Sequence, residues 1–412
     1  MPGPEKKFNW EFISLLWFCF FFNQADRQIF NIALPDVKAD LGLTDVHLGL
    51  IASAFILAIG VFVPIAGFVG DRFSKKKVIM LSVLIWSTAT FFTGFSGGFL
   101  VLIILRSIVG GSEAFYAPAA NSLIGEKYKS NLGHAMAIHQ TSLYAGIIGS
   151  GILGGYIAEH YGWRSAFYIF GGIGILLFII LLLRLEDGSN QKSAERITLL
   201  DGIKNLVANK TALLLTSAFT CMVFVNVGYL TWTPTFLHEK FGLGLTEAGF
   251  SSMFYHHIFA FIGVMVSGKL SDRMAIKNAG ARLRIQSIAL LFGAPFIFLL
   301  GSATTLPVVY IALSVFGFFR GMYDSNIYAS LFSVVDERIR ASVSSAMIMC
   351  AYIIGSLAPT ILAFIKSQFG LANGLSALSV LYVAGGIFII TALRLTFYKD
   401  RNLVVELLNQ PK

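Results

Sequence analysis

The sequence predicts an all-α membrane protein with twelve transmembrane helices in two pseudo-symmetric six-helix bundles. Of its 412 residues, 56% are hydrophobic and only 13% are charged. A soluble protein carries roughly 25% charged residues, so the composition excludes a water-facing globular enzyme. Two further observations support the prediction: apolar stretches of membrane-spanning length recur along the whole chain, and one motif occurs once in each half.

Twelve apolar stretches are long enough to cross a bilayer. They cover residues 12–34, 47–69, 78–96, 99–124, 133–157, 164–185, 211–233, 249–270, 285–302, 306–332, 342–365 and 374–395. The first is too long and too polar, with Asp26 and Arg27 inside it, to be a cleaved signal peptide. We therefore expect an N-terminal bundle over 1–185 and a C-terminal bundle over 211–412. Between them, residues 186–210 are predicted to form a cytoplasmic linker with an amphipathic helix on the membrane surface.

The basic residues predict the orientation. The N-terminus, the even-numbered loops and the C-terminal tail, with the adjoining span ends, hold 24 of the 31 Lys and Arg residues. The positive-inside rule then places both termini in the cytoplasm. The net charge of +9 is thus a signal of topology rather than a nucleic-acid-binding surface. We expect a multi-pass protein of the cell inner (cytoplasmic) membrane.

The two halves of the chain look like copies of each other. The motif G-x-x-x-D-R begins at Gly67 and again at Gly268, an offset of 201 residues. Farther along, the offset is constant at 211, which relates Gly110 to Gly321 and also relates Glu113 to Asp324. A constant offset over several points indicates duplication of a six-span unit.

Two six-span halves, the repeated loop motif and a long linker resemble the major facilitator superfamily. The residues that carry the loop motif are Gly67, Asp71, Arg72, Lys75 and Lys76 in the first copy and Gly268, Asp272 and Arg273 in the second. The resemblance implies a substrate site near the midplane and alternating access by rocking of one half on the other. It also implies that Asp71 caps a helix of the other half and closes the cytoplasmic gate. The alternative is that the motif merely anchors the loop at the lipid headgroups.

Six charged residues lie well inside the predicted spans. They are Asp26, Arg27, Arg106, Glu113, Arg320 and Asp324. Each costs on the order of 2.5–3.5 kcal/mol at the bilayer centre, so a functional site is the first hypothesis for each. From the rise of a helix, about 1.5 Å per residue, Arg27 and Arg106 lie at one depth and could bind one anion together. Arg106 and Glu113 are two turns apart and share a helix face.

These charges resemble two branches of the superfamily. Asp26-Arg27 in span one, with Arg106 and Glu113 in span four, is similar to the anion:cation symporters, which include galactonate and hexuronate transporters. That resemblance implies that Arg27 binds a substrate carboxylate, that Asp26 and Glu113 exchange protons, and that Arg106 couples to them. The segments 25–50 and 106–118 also resemble the Spinster branch, whose members move lysolipids. From the residues alone, permanent structural pairing of these charges stays open.

Other polar residues are candidates of a second rank. Arg320 and Asp324 are four residues apart and form either a structural bridge or a second anion contact with Asp324 as a proton carrier. The remaining candidate substrate-binding residues are Gln140, Tyr144, His256, His257 and Asn326.

The sequence therefore predicts a secondary active transporter that is not an enzyme. Its predicted partners are a small organic anion, protons and the lipid bilayer, and no nucleic acid is expected. The best candidate for the anion is a sugar acid. Neither a metal site nor a cofactor site is indicated, and we expect a monomer. The rivals are a Spinster-like transporter of lysolipids or other amphiphiles and, disfavoured by the buried arginines, a drug exporter.

Overall fold

The computed structural model describes residues 8–188 and 199–408, without the side chains of residues 68, 70, 71, 405, 407 and 408. All regular secondary structure in these ranges is helical. The predicted all-α class is confirmed.

Each predicted apolar stretch coincides with one observed span. The first half contains span one (Trp10–Leu41), span two (Asp45–Arg72), span three (Lys75–Thr93), span four (Phe99–Glu113 and Tyr116–Lys127), span five (Leu132–Tyr161) and span six (Trp163–Arg184). The second half contains span seven (Lys210–Phe241), span eight (Leu245–Lys277), span nine (Ala281–Ser302), span ten (Leu306–Asp324 and Ile327–Phe332), span eleven (Arg340–Gly355 and Leu357–Phe369) and span twelve (Leu371–Thr391, continued by Ala392–Thr396 and Phe397–Leu408).

Within the ranges that the structure describes, eleven of the spans are long and apolar enough to cross a membrane by length and composition alone. Span one is the exception, because polar side chains crowd its middle. These are Asn23, Gln24, Asp26, Arg27, Gln28 and Asn31. Span one nevertheless has 32 residues, about 48 Å at 1.5 Å per residue, and it packs along spans five, six and seven. Its polar centre is therefore enclosed by other helices rather than exposed to lipid.

A short helix, Leu199–Ala208, lies in the predicted linker region. Gly202 of this helix packs against the backbone of Ser342 at the start of span eleven, while Leu200 and Val207 stay exposed. The helix is thus amphipathic and docks on the C-terminal half. Residues 189–198 of the predicted linker lie outside the described part of the chain.

Glycines at repeat-related positions let neighbouring spans touch. A Cβ on Gly110 of span four would collide with the carbonyl oxygen of Phe55 in span two. A Cβ on Gly321 of span ten would collide in the same way with the carbonyl oxygen of Ala260 in span eight. Both halves therefore use the same helix contact, which agrees with the predicted duplication.

The two halves pack differently at the two ends of the molecule. We call the end around Arg72, Lys127 and Arg184 the linker face, and the end around Leu41 and Lys366 the far face.

At the far face, span two packs on span eleven and span five packs on span eight. Gly49 leaves no room for a Cβ beside Pro359, and Gly151 lies against the backbone of Gly249. At the linker face, by contrast, Gly67 and Gly268 have open space around them. The halves are therefore closed together at the far face.

Candidate functional site

A cavity of about 490 Å³ lies between the two halves. Spans one, two, four and five line it from the first half, and spans seven, eight, ten and eleven line it from the second. Its polar lining is Asn23, Gln24, Arg27, Gln28, Asn31, Arg106, Glu113, Tyr144, Asn226, Thr231, His257, Arg320, Asp324, Tyr328 and Tyr352. Phe20, Val63 and Pro118 extend the lining toward the linker face. The volume lies within the range of about 300–1,000 Å³ typical of small-molecule sites.

Arg27 and Glu113 form an ion pair across spans one and four. Arg27 Nε donates to Glu113 Oε2 at 2.6 Å, and the Glu113 side chain is fully buried. Tyr352 of span eleven lies beside the Arg27 guanidinium. The pair therefore stands where the two halves meet, and the second carboxylate oxygen, Oε1, has no hydrogen-bond partner among the described residues.

Arg106 of span four hydrogen-bonds to the backbone of span one. Its guanidinium donates to the backbone carbonyls of Asp26 and Arg27, at 3.3 and 3.5 Å. It also lies over the rings of Phe55 and Phe30, 4.4 and 5.0 Å from their centroids. Arg106 thus positions Arg27 while keeping a positive charge at the cavity wall.

Asp26 is placed differently from its neighbour Arg27. Successive residues on a helix point about 100° apart, since 3.6 residues make one turn. Arg27 therefore faces the cavity, whereas Asp26 turns toward span three, where Thr90 Oγ1 donates to its Oδ2 at 3.4 Å. Asp26 does not line the cavity, but it lies beside Arg106, which donates to its backbone carbonyl, and within electrostatic reach of Glu113.

The second half contributes another arginine and another carboxylate. Arg320 Nε lies 3.3 Å from Asp324 Oδ2. Arg320 Nη1 donates to Asn226 Oδ1 and to His256 Nε2, the latter at 3.2 Å. Both Arg320 and Asp324 line the cavity. His256 does not line it but accepts a hydrogen bond from Arg320.

His257 and Tyr144 face the cavity from opposite halves. His257 Nδ1 donates to the carbonyl of Met253 at 2.8 Å, so Nε2 is the acceptor of the neutral ring. The ring centroids of His257 and Tyr144 lie 6.4 Å apart. Together they offer a hydroxyl and a ring nitrogen to a polar ligand.

Besides His256, which lies behind Arg320, two more predicted binding residues are outside the cavity lining. Asn326 is buried against span eight, where its Nδ2 donates to Ser267 Oγ at 2.9 Å. The structure thus places Asn326 in a helix-to-helix contact outside the cavity lining, and its predicted contact with substrate stays a prediction. Gln140 is exposed and lies one helical turn from Tyr144, toward the linker face.

The motif loops are tied within their own halves. Lys75 pairs with Glu126 of span four at 2.6 Å, and Lys76 donates to the carbonyl of Leu182 in span six. In the second copy, Asp272 pairs with Arg282 at 2.8 Å, and Arg273 is exposed. The Asp71 side chain lies outside the described part, so its predicted cap is a proposal.

An acidic residue holds the first motif loop to the end of span six. Ser74 Oγ donates to Asp187 Oδ2 at 2.6 Å. Burial acts to raise the pKa of Asp187, but the hydrogen bond from Ser74, with those from the backbone of Gly188 and Lys76, outweighs burial and lowers that pKa. Asp187 therefore stays ionised and keeps the loop in place.

Sequence reasoning missed a cluster of charges at the far face. Lys366 Nζ of span eleven lies 3.0 Å from Asp45 Oδ1 of span two and 2.6 Å from Glu239 Oε1 of span seven. Lys38 also contacts Asp45, at 2.8 Å. We call Lys38, Asp45, Glu239 and Lys366 the far-face cluster. It joins the two halves, and no local sequence signal marks it because charges at span ends are common.

Span five and span eight are joined nearby by another carboxylate. Glu159 Oε2 accepts from the backbone N–H of Thr246 at 2.8 Å, in the first turn of span eight. A carboxylate at a helix N-terminus is favourable because unpaired N–H groups and the helix dipole face it. Polar contacts between the halves therefore help to close the far face, among them Lys366 with Asp45, Glu159 with Thr246 and Ser53 with Thr360.

Comparison with known proteins identifies relatives over most of the chain. The sequence model of the Major Facilitator Superfamily matches residues 16–359. The chain is 28% identical over 309 residues to "Probable galactarate/D-glucarate transporter GudP" of Bacillus subtilis (strain 168), covering 67% of each protein. It is 25% identical over 394 residues to the "Hexuronate transporter" of the same organism, covering 90% of each. It is 31% identical over 242 residues to "Protein spinster" of Drosophila melanogaster, covering 56% of this chain and 39% of that one.

Solved structures share the fold. A bacterial homolog of the human lysosomal transporter Spinster, in an inward-facing and unoccupied conformation, superposes with a TM-score of 0.83 at 21% identity, covering 97% of this chain and 99% of that one. A D-xylose-proton symporter superposes with a TM-score of 0.73 at 14% identity, covering 92% and 96%. At these identities the likeness establishes the architecture alone.

Proposed function

The chain belongs to the Major Facilitator Superfamily, and from that premise we propose that it is a proton-coupled symporter of a small organic anion. The best candidate is a sugar acid. Transport is by alternating access around the central cavity, and the chain works as a monomer. The single observation that carries the proposal is the Arg27–Glu113 ion pair at the cavity wall.

The ion pair couples a proton to an anion by competition. An ionised Glu113 occupies Arg27 and leaves it a poor site for a second carboxylate. A protonated Glu113 no longer forms an ion pair, so the Arg27 guanidinium can bind a substrate carboxylate through a bidentate pair of hydrogen bonds. Loss of the proton returns Glu113 to Arg27 and displaces the substrate. Binding of the anion and of the proton therefore favour each other.

Arg106 raises the selectivity of the same site for anions. Its positive charge lies at the cavity wall, held over two aromatic rings. The positive charges of Arg27 and Arg106 together attract a carboxylate and repel a cationic drug. Polar side chains of span one, Gln28 and Asn31, line the cavity beside this site and suit the hydroxyl groups of a sugar acid.

The proposed orientation puts the linker face in the cytoplasm of a cell with an inner membrane. The excess of Lys and Arg in the loops of that face supports this orientation. The far face is then external and closed. Two relatives are described as sugar-acid transporters, and one of them is matched over 90% of its length. This similarity supports the choice of substrate class.

Uptake by the purified protein in liposomes tests the proposal. Labelled galacturonate and galactarate are offered with an inward proton gradient and, as the control, with equal pH on both sides. We expect accumulation of at least one acid above equilibrium only with the gradient. Uptake of neither acid, or uptake indifferent to the gradient, would contradict the proposal.

An amphiphile is the second candidate, because much of the cavity wall is apolar. Ile56 and Ile59 of span two and Phe219 and Val223 of span seven contribute to it. The 31% identity to Drosophila "Protein spinster" also favours this candidate. A lysophospholipid added to the same liposome assay distinguishes the two, since it competes with sugar-acid uptake only if it enters the cavity.

A further inference from the structure

A second arginine–carboxylate pair faces the cavity from the opposite half. Arg320 and Asp324 lie 3.3 Å apart on span ten, and both line the cavity that Arg27 and Glu113 enter from the first half. Asp324 follows Glu113 by 211 residues and is its repeat counterpart. Each half therefore brings one such pair to a single cavity.

The surroundings of Arg320 leave it able to bind a ligand. Its Nη1 is held by Asn226 and His256, and its Nε faces Asp324. Since His256 Nε2 accepts from Arg320, the imidazole is neutral and adds no charge. No residue in the described ranges hydrogen-bonds to Nη2, and the side chain keeps 16% of its surface exposed.

The charges of the cavity wall match a dianion. Among the described residues, three arginines and two carboxylates line the cavity: Arg27, Arg106, Arg320, Glu113 and Asp324. With both acids ionised and His257 neutral, the wall carries a net charge of +1. With both acids protonated it carries +3, and a bound dianion returns the total to +1. The empty and the loaded cavity then carry the same net charge. Loading with the dianion and two protons therefore adds no net charge to the membrane interior, where charge is costly.

We propose that Arg320 and Asp324 form a second carboxylate subsite with its own proton, so the substrate is a hydroxylated dicarboxylate. One carboxylate binds Arg27 when Glu113 is protonated, and the other binds Arg320 when Asp324 is protonated. The hydroxyl groups between them face Tyr144 and His257. This inference rests on the proposed symport of a sugar acid and extends it to two carboxylates and two protons.

Among the described residues around Arg320, Asp324 is the only one with a carboxyl group. It is therefore the group that takes the proton at this subsite. Its side chain is 31% exposed, so water in the cavity can reach it. The charged and titratable groups around the pair are His256 and His257 of span eight, Tyr144 of span five, Tyr229 of span seven, Tyr323 and Tyr328 of span ten and Tyr382 of span twelve.

Two ligands that differ only at one end test the subsite. Galactarate has a carboxylate at both ends, and galactonate has a hydroxymethyl group at one of them. For the purified full-length protein we expect galactarate to bind about tenfold more tightly or better, as one added charge-assisted contact implies. Arg320→Gln should remove this preference and bring the affinities for the two acids within about threefold of each other, since galactarate then loses its second contact. Arg340→Gln, at the linker face, is the matched control.

Two results would overturn the subsite. One is equal binding of the two acids by the wild-type protein. The other is a galactarate preference that survives Arg320→Gln. In both cases galactonate binding itself remains, so the proposed symport stands. Failure of both acids to bind would instead contradict the proposed function.

A second variant keeps the inference testable if Arg320→Gln does not fold. Asp324→Asn should lower the number of protons moved per galactarate from two to one, measured from simultaneous pH and substrate fluxes in liposomes. An unchanged ratio in Asp324→Asn, or a ratio of one in the wild type, would refute the second proton.

Discussion

Arg27 Nε lies 2.6 Å from Glu113 Oε2 and so joins span one to span four inside the central cavity. In a medium of low polarity, neither charge is stable without the other, because removing one partner leaves an uncompensated buried charge. Whatever separates the pair must therefore supply a substitute for each partner. A proton on Glu113 and a carboxylate on Arg27 are such substitutes.

Glu113→Gln should separate binding from accumulation. An amide resembles the protonated acid, so we expect the variant to bind sugar acid and to exchange it between the two sides of a liposome. With galactonate, which needs only Arg27, gradient-driven accumulation should be lost because the variant has no Glu113 proton to release. Tight binding of galactonate should also persist at high pH, where the wild type weakens as Glu113 ionises and returns to Arg27. Glu247→Gln, at an exposed site on span eight, is the control; accumulation by Glu113→Gln in response to pH would refute the assignment.

Arg27→Lys should weaken transport strongly while the protein still folds. A lysine ammonium keeps the positive charge but lacks the planar fork that binds a carboxylate through two hydrogen bonds. We expect a loss of sugar-acid affinity of about tenfold or more, measured by ligand-induced thermal stabilisation. Arg164→Lys is the matched control, since Arg164 pairs with Asp40 at the far face. Unchanged stabilisation and uptake in Arg27→Lys would argue against the anion site.

The sequence was most informative where charge is costly. Arg27, Arg106 and Glu113 could be predicted because an ionised residue inside a span needs a functional or structural reason. Their neighbours were harder to assign, since a small rotation decides which of two adjacent residues faces the cavity. Asp26 and His256 each turn away from the cavity that the next residue lines.

Other features depend on geometry that the sequence does not encode locally. Asn326 lies in the break of span ten between Asp324 and Ile327, and the break changes the helical phase so that its side chain meets span eight. The pairing of Lys366 with Asp45 depends on how the two halves dock, at span ends where charges are inexpensive. Pattern and periodicity predict the spans and the duplication, but not contacts between distant segments.

The repeat-related glycines should be intolerant of a side chain. Gly110→Ala and Gly321→Ala each place a Cβ against a backbone carbonyl that cannot move aside. Overpacking of this kind costs roughly 1–3 kcal/mol, so both variants should unfold at lower temperature in detergent. Gly172→Ala in span six, where a Cβ has open space, serves as control. Equal melting temperatures in all three variants would contradict the close contact.

The two loop motifs should contribute unequally to closing the linker face. The first loop is tied down by Lys75–Glu126 and Ser74–Asp187 contacts, and lysines follow its aspartate closely. Asp71→Asn should therefore shift the protein toward an open linker face more than Asp272→Asn does, by a coupling on the order of 1–3 kcal/mol. Spin labels at Lys129 and Ile276, both exposed at that face, report the distance. Equal shifts would refute the asymmetry.

The far-face cluster should set how readily the outer end of the cavity opens. Lys366 is 10% exposed and contacts Asp45 of the first half and Glu239 of its own half, so Lys366→Gln removes the charge between the halves while Asp45 keeps Lys38. We expect a larger population open at the far face, seen as longer distances between labels at Tyr161 and Phe369, which are both well exposed. Lys240→Gln is the matched control, since Lys240 donates to the carbonyl of Gly301 within the second half. If Lys366→Gln and Lys240→Gln give the same distance distribution as the native protein, contacts such as Glu159 with Thr246 close the far face without the cluster.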